Sequence, residues 1–461
     1  MFDLILYGVG FTGRQTALYL ARAAKPANFT WALSGRSLPK LEALRDELSR
    51  IRPELSTLPL VVAASDAAGA ARVASSARVV ISAAGPFAAC GEPLVAACAS
   101  RGVHYADATG ETFWVSEMAE KYNATARASG AILVPLSGFD SVPSDAGLFY
   151  CIAAIRARAE KVERISAIAH VRGALSGGTV ATAALMAANP AARDAASDPL
   201  LLVPGATTEA KVRLVAPLPD GEWPSRVPAL GDDAWTQPHL MGAINTRVVR
   251  KSAALYAANA PALAAAAAAS PSLAKAILTP SSSGSGSCSY AYTVGPFSYK
   301  ERALARGYSA ALTATVIAAA ASAALSPLCA PLVRRLLPSP GEGPTDAAMA
   351  RNSFKLFFVC ETSGGGAPLV GCVSGGDPYA ETGHSLAETG LLLAEAARTD
   401  TVKDLPAAAF GYGFLTPATA LGLNLVDRLG ATGWRFEMFK DAAAAEAAAA
   451  PRPPRERDTR A

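Results

Sequence analysis

A short apolar strand that runs directly into a glycine-rich turn constrains the fold of this chain most strongly. Residues 4–7 read LILY, and Gly8, Gly10 and Gly13 follow in the spacing G-x-G-x-x-G. The first glycine permits a tight turn, the second leaves room for a pyrophosphate, and the third lets the next helix pack closely on the sheet. Because the helical sequence QTALYLARAA follows at 15–24, the spacing predicts dinucleotide binding. A glycine-rich turn without a ligand is the alternative.

The turn supplies further candidate contacts to the cofactor. Phe11 and Thr12 lie between the glycines, where the first N–H groups of the helix point at the phosphates. Arg14 lies in the first helical turn, where a cation opposes the helix dipole unless an anion is close. We therefore include Arg14 among the predicted cofactor residues, with a solvated surface arginine as the alternative.

The end of the second strand indicates which dinucleotide binds. Residues 29–33 read FTWAL, and an NAD site would place an acidic residue shortly afterwards, about 20 residues past the glycines, to bind the ribose hydroxyl. The first acid after this strand is Glu42, whereas Arg36 and Ser37 follow the strand closely. A guanidinium and a hydroxyl suit a 2′-phosphate, so the sequence predicts NADP(H). A solvated arginine is again the alternative.

Strands and helices alternate over residues 1–148, which predicts a doubly wound parallel sheet of the Rossmann type. Asp66 follows the third predicted strand, where a side chain can contact adenine, although a helix N-cap explains it equally well. Ala84 and Gly85 end the fourth strand, at the carboxyl edge where a ligand lies. The later strands of this sheet are predicted at 58–63, 78–84, 104–107 and 131–135.

Composition excludes several classes of function. The chain has 461 residues, of which 17% are charged, and a net charge of +4 gives no basis for nucleic-acid binding. Its seven cysteines and four histidines show no metal-ligand spacing, and the cysteines are typical of reduced core thiols. Because these residues lack ligand spacing, we predict no metal. Asp3 interrupts the apolar region that a secretory signal needs, so we predict an intracellular protein at the cytoplasmic face.

The pattern changes after the first 148 residues, which predicts a second, α+β domain. Residues 149–410 are assigned to this substrate domain, with antiparallel strands at 354–361 and 369–373. An alanine-rich apolar insert spans 252–335. We expect 411–441 to return to the Rossmann domain and the tail 442–461 to be disordered.

A charge-free run lies within the insert, at 309–333. Its length would cross a bilayer core, but it is mostly alanine and serine. A buried helix, a membrane-associated hairpin and a true span are therefore all left open. Arg334 and Arg335 follow the run and would suit either anionic lipid or a helix end. A membrane or lipid-droplet surface is thus one predicted partner.

Motifs spread along the chain resemble the saccharopine dehydrogenase-like oxidoreductases, and in particular the trans-acting enoyl reductases and the lipid-droplet-associated members. Two departures are a first loop shorter by one residue and Cys90 in place of an aromatic residue before GEP. The matching motifs are LYG at 6–8 with GFTGR at 10–14, LSGRS at 33–37, GPF at 85–87 with GEP at 91–93, YADATGE at 105–111, GFDSVPSD at 138–145, SGGT at 176–179, LPSPGEGP at 337–344 and LTPATA at 415–420.

The resemblance implies an NADP(H)-dependent oxidoreductase that reduces an enoyl or similar group on a hydrophobic, lipid-linked substrate. The apolar insert favours this over the saccharopine-type amino-acid dehydrogenases, whose dicarboxylate substrate needs several basic groups. A non-catalytic dinucleotide-binding scaffold on a lipid droplet or membrane is the other alternative. The exact substrate, the reaction direction and the oligomeric state are left open.

Catalytic residues are not fixed by the sequence, because no Tyr-x-x-x-Lys or Ser-x-x-x-Lys pair is evident. Asp107 and Asp140 each end a predicted strand and are weak candidates for moving a proton, with a turn-forming aspartate as the alternative for both. Glu111 and Asp145 are as well explained by helix capping. The remaining polar candidates at the carboxyl edge are Ser82, Thr109, Ser141 and Ser144.

Overall fold

The structure is a computed structural model, and it describes residues 1–23, 28–158, 160, 162–172, 189–196, 198–203, 205, 241–278, 292–295, 342–363, 366–440 and 444. The predicted charge-free run at 309–333, the arginine pair after it and the SGGT motif lie outside the described residues. All of the predicted tail except residue 444 lies outside them as well.

Six strands from the first half of the chain and one from residues 413–414 form a seven-stranded parallel sheet in the order β11-β6-β5-β4-β1-β2-β3. The predicted doubly wound parallel sheet is thereby confirmed. Its strands are β1 (Phe2–Tyr7), β2 (Trp31–Gly35), β3 (Leu60–Val62), β4 (Ala77–Ser82), β5 (His104–Asp107), β6 (Ile132–Val134) and β11 (Gly413–Phe414). The helices between them are α1 (Phe11–Arg22), α2 (Leu38–Ser49), α3 (Ala67–Ser76), α4 (Phe87–Cys90), α5 (Glu92–Arg101), α6 (Thr112–Ser129) and α7 (Val142–Arg156).

Both faces of this sheet are covered, as a parallel sheet requires. Successive residues of β1 point to opposite faces, so that Leu4 and Leu6 join one apolar cluster while Ile5 joins the other. This explains why the strand reads as an unbroken apolar run rather than as an alternating one.

A second sheet of five strands has the order β12-β10-β9-β7-β8. The predicted antiparallel pairing of the strands near 354–361 and 369–373 is confirmed, with Cys372 opposite Phe357. One edge pair is parallel, with Ile165 opposite Tyr292. The strands are β7 (Val162–Arg172), β8 (Tyr292–Gly295), β9 (Ser353–Thr362), β10 (Leu369–Gly375) and β12 (Arg435–Phe439).

The remaining helices follow β7 in the chain, and the longest of them packs on the first sheet. Gly383 and Gly390 allow this close approach, since a Cβ atom at Gly390 would lie 2.5 Å from Cγ2 of Ile81. These helices are α8 (Pro190–Ala196), α9 (Gly242–Ala258), α10 (Ala260–Ala269), α11 (Pro271–Ala276), α12 (Asp346–Met349), α13 (Pro378–Thr399), α14 (Pro406–Ala409), α15 (Pro417–Leu421) and α16 (Leu423–Thr432).

The alanine-rich stretch at 252–278 is largely helical and contains the end of α9, then α10 and α11. The helix α9 begins before this stretch, at Gly242. Arg247, Arg250 and Lys251 of α9 are all buried although they are charged. The sequence of α9 therefore lacks the regular apolar spacing by which a core helix is recognised. Within the described residues, no single helix is long and apolar enough to cross a membrane. The helices α9 and α10 have the length and apolar composition of a membrane span only when they are taken together, and the chain bends by 73° between them.

Candidate cofactor and active site

The turn between β1 and α1 has the geometry of a pyrophosphate site. Gly8 has a φ of +96°, and a Cβ atom there would lie 2.7 Å from the Cβ of Ala84. A Cβ at Gly13 would lie 1.9 Å from the carbonyl oxygen of Gly8, so the fold itself requires both glycines. A Cβ at Gly10 would meet no atom of the described residues within 4 Å. The fold therefore leaves open the one position at which a side chain would block a phosphate.

The end of β2 fits a 2′-phosphate. Arg36 is exposed and makes no hydrogen bond or ion pair within the described part of the chain. Ser37 is the N-cap residue of α2, yet its side chain makes no capping hydrogen bond, and no acid lies in the first turn of α2. A guanidinium, a hydroxyl and a helix N-terminus thus converge where no described carboxylate competes for them.

Arg14 faces two carboxylates of the protein. Its Nε donates to Oε1 of Glu47 at 3.0 Å, and its Nη1 donates to Oδ1 of Asp346 at 3.1 Å. These hydrogen bonds raise the pKa of Arg14 above its usual value. The anion that the sequence led us to expect beside Arg14 is therefore at least partly supplied by the protein, and a contact of Arg14 with the cofactor stays a prediction.

The segment before Asp346 lies against the phosphate turn. The Phe11 ring would lie 2.5 Å from a Cβ at Gly343, and its centroid is 5.4 Å from that of Tyr379. Gly343 belongs to the motif LPSPGEGP, whose earlier residues up to 341 are outside the described part of the chain. The distant motif thus contributes to the surroundings of the cofactor turn.

Asp66 caps a helix. Its Oδ1 accepts a hydrogen bond of 2.7 Å from the backbone N–H of Gly69, in the first turn of α3. The N-cap alternative is therefore confirmed, and the contact of Asp66 with adenine stays a prediction.

Glu111 holds the turn after β4 in place. Its buried carboxylate accepts hydrogen bonds from the backbone N–H groups of Phe87 at 2.9 Å and Ala88 at 2.7 Å. It precedes α6 but makes no side-chain cap there. Glu111 therefore caps a helix, but this helix is α4 and not α6. The first N–H groups of α4 have no partner within the helix and donate to the Glu111 carboxylate instead. Glu111 thereby fixes the carboxyl-edge turn that begins at Gly85.

Asp107 is fully buried, and both of its carboxyl oxygens accept hydrogen bonds from neighbouring groups. Its Oδ1 accepts hydrogen bonds from the N–H groups of Thr109 at 3.0 Å and Leu136 at 3.2 Å, and its Oδ2 accepts one from the Tyr105 hydroxyl at 2.8 Å. The turn-forming alternative is therefore the better description of Asp107. Burial raises the pKa of the Asp107 carboxyl to about 7.

This raised pKa predicts that the protein loses stability as the pH rises. Between about pH 4 and about pH 7 the folded state holds a proton on Asp107 that the unfolded chain releases. We expect this carboxyl to lower the free energy of unfolding by roughly 1.4 kcal/mol per pH unit in that window. Chemical denaturation of Asp107→Asn should show a shallower fall, since an amide does not titrate. Its oxygen can still accept from the N–H groups of Thr109 and Leu136, and its N–H₂ can donate to the Tyr105 hydroxyl. The exposed control Asp46→Asn should keep the original slope, and an unchanged slope in Asp107→Asn would refute the assignment.

Asp140 differs from Asp107 because its carboxyl accepts no hydrogen bond from any described residue. Its Oδ2 lies 3.9 Å from the Cβ position of Gly110, which also faces Ile244 at 3.5 Å and Met241 at 3.9 Å. Burial raises the pKa of Asp140 to about 6. A protonated carboxyl beside an apolar wall at the carboxyl edge is suited to donate a proton.

Asp145 has a structural role. Its Oδ1 accepts a hydrogen bond of 2.5 Å from Ser252 and its Oδ2 accepts one of 2.8 Å from the N–H of Ala418. It therefore ties α7 to α9 and α15. The sequence did not indicate α9 as part of the site, because its polar residues form no recognisable motif.

The comparisons with known proteins agree with this geometry. Residues 4–134 match the family model described as the saccharopine dehydrogenase NADP binding domain. A Mycobacterium tuberculosis protein named as a trans-acting enoyl reductase is 33% identical over 449 residues, covering 94% of this chain and 96% of that protein. The trans-acting enoyl reductase of Mycobacterium ulcerans is 31% identical over 452 residues, with the same coverage of both chains.

A solved structure of saccharopine dehydrogenase (L-Glu forming) from Saccharomyces cerevisiae is also similar. It has a TM-score of 0.49 and 11% sequence identity, and the match covers 95% of this chain and 99% of that one.

The parallel sheet, the phosphate turn and the family model together define an NADP-dependent oxidoreductase. More narrowly, the chain belongs to the saccharopine dehydrogenase-like family, in the group with the proteins named trans-acting enoyl reductases.

Proposed function

We propose that this protein is an NADPH-dependent enoyl reductase acting on a hydrophobic, lipid-type substrate. The names of the relatives that match over most of its length support the reaction class. The observation that carries the proposal to this chain is the Asp140 carboxyl, which lies without a described hydrogen-bond partner beside Gly110 and the apolar side chains of Met241 and Ile244.

The chain's own residues can supply most of what this reaction needs. NADPH, when bound, provides the hydride. Gly10 leaves space for its pyrophosphate, and Arg36 with Ser37 holds its 2′-phosphate. Asp140 donates the proton that the reduced double bond requires. Met241 and Ile244 provide an apolar surface for the acyl chain and exclude water.

Asp140→Asn is expected to lower turnover by roughly a hundredfold while the affinity for NADPH stays unchanged, because only proton donation is lost. In the parent protein, turnover should fall as the pH rises past about 6, where Asp140 ionises. Steady-state kinetics and calorimetry measure the two effects separately. The exposed variant Asp46→Asn serves as the control. Unchanged turnover in Asp140→Asn would return this residue to a purely structural role.

The substrate class is tested by following NADPH oxidation with a panel of compounds. We expect activity with long-chain enoyl thioesters and none with saccharopine-pathway amino acids. Activity confined to the amino acids would establish the dehydrogenase alternative. A protein that binds NADPH but oxidises it with no member of the panel would support the scaffold alternative.

A further inference from the structure

Two buried polar atoms near the carboxyl edge have no hydrogen-bond partner among the residues that the structure describes. They are Oγ of Ser141 and Oδ1 of Asn245. Ser141 is 1% exposed and Asn245 is 4% exposed, so water does not satisfy these groups as it would at the surface. Buried polar atoms are rarely left unpaired in native proteins, and those that are indicate an absent partner.

The helices that carry these residues run side by side. Asp145 of α7 is hydrogen-bonded to Ser252 of α9, and the ring of Phe149 lies 5.5 Å from that of Tyr256. From the first contact to the second, the residue number rises by four in both helices. The two helices are therefore parallel and in one register, and their N-termini lie at the same end.

The same register places the two unpaired atoms at the same end of the helix pair. Ser141, four residues before Asp145, corresponds in this register to Val248, and Asn245 lies one turn before Val248 on the same side of α9. Ile244, the neighbour of Asn245, approaches the Cβ position of Gly110 to 3.5 Å. Gly110 follows β5, so this end of α9 lies at the carboxyl edge of the parallel sheet.

This part of the edge lies on the nicotinamide side of the cofactor site. The strand order places β2 and β3, with Arg36 and Asp66, on one side of the phosphate turn. It places β4, β5 and β6 on the other side. A dinucleotide lies across the sheet at the switch point between these halves. With the 2′-phosphate at Arg36, the nicotinamide extends towards β5 and β6.

We propose that Ser141 and Asn245 bind the carboxamide group of the nicotinamide ring. An amide oxygen such as Asn245 Oδ1 only accepts hydrogen bonds, so it needs an N–H donor, and the Ser141 hydroxyl can donate to a carbonyl. A carboxamide carries both an N–H donor and a carbonyl oxygen. An acyl carbonyl would satisfy Ser141 alone. The proposal rests on NADP binding and does not depend on the identity of the substrate.

The test compares the binding of three ligands by calorimetry: NADP⁺, 2′-phospho-ADP-ribose, which lacks the nicotinamide, and the 3-acetylpyridine analogue of NADP⁺, which lacks the amide N–H₂. Asn245→Leu should weaken NADP⁺ binding about tenfold and leave binding of 2′-phospho-ADP-ribose unchanged. The parent protein should prefer NADP⁺ to the acetylpyridine analogue, and Asn245→Leu should lose this preference. Ser141→Ala should weaken NADP⁺ and the analogue alike.

Thr246→Val, on the same helix, is the matched control, because the Thr246 hydroxyl already donates to the carbonyl oxygen of Gly242. It should bind all three ligands as the parent does. Equal weakening of all three ligands in both Asn245→Leu and Ser141→Ala would mean a structural role and overturn the proposal. Normal binding of all three with reduced turnover would overturn it as well, by assigning the pair to the substrate. If Asn245→Leu fails to fold, Ser141→Ala alone tests the proposal. A loss of affinity for NADP⁺ but not for 2′-phospho-ADP-ribose would support it, and an unchanged ratio of the two affinities would overturn it.

Discussion

Gly10→Val is expected to weaken NADPH binding by roughly a hundredfold or more without unfolding the protein. Among the described residues, no atom lies within 4 Å of the Cβ position of Gly10, so this part of the fold has room for the new side chain. That room is the space at the N-terminus of α1 where the pyrophosphate is bound. Calorimetry measures the affinity, and thermal unfolding followed by circular dichroism checks the fold.

Gly366→Val is a suitable control for this variant. Gly366 also has no atom of the described residues within 4 Å of its Cβ position, and it lies in the connection between β9 and β10 rather than in the phosphate turn. We expect this control to bind NADPH normally. Normal NADPH affinity in Gly10→Val itself would mean that the phosphate site has been placed wrongly.

The parent protein should bind NADPH at least about ten times more tightly than NADH, and Arg36→Ala should remove most of this preference. A tenfold ratio corresponds to about 1.4 kcal/mol, which is modest for a guanidinium–phosphate contact. Titrations of both cofactors against both proteins measure the ratio. Arg50→Ala, an exposed cation at the opposite, C-terminal end of α2, controls for the loss of net charge. Equal affinities in the parent would contradict the assignment of Arg36 to the 2′-phosphate.

The parallel sheet could be predicted because its signals are local. The strand His104–Asp107 occurs at the predicted residues, since short apolar runs bounded by turn residues mark buried strands. The second strand begins two residues later than predicted, at Trp31 rather than Phe29. The reason is tertiary, because the N–H of Thr30 donates to the Asp3 carboxylate instead of pairing in the sheet.

The parts of the site that could not be predicted depend on contacts between distant segments. Arg14 meets Asp346 from far along the chain, and no local pattern at either residue indicates this pair. Asn245 is a similar case, because its significance comes only from lying unpaired on a buried helix beside α7. The sequence motifs therefore predict the phosphate and ribose contacts, whereas the surroundings of Asn245 become visible only in the fold.

Transfer of the hydride itself tests the proposed reaction most directly. NADPH carrying deuterium at both C4 positions of the nicotinamide would be incubated with the full chain and a long-chain enoyl thioester. We expect mass spectrometry to find one carbon-bound deuterium in the saturated product, and no product with Gly10→Val. A saturated product without deuterium, or no product from a protein that binds NADPH, would contradict enoyl reduction by this protein.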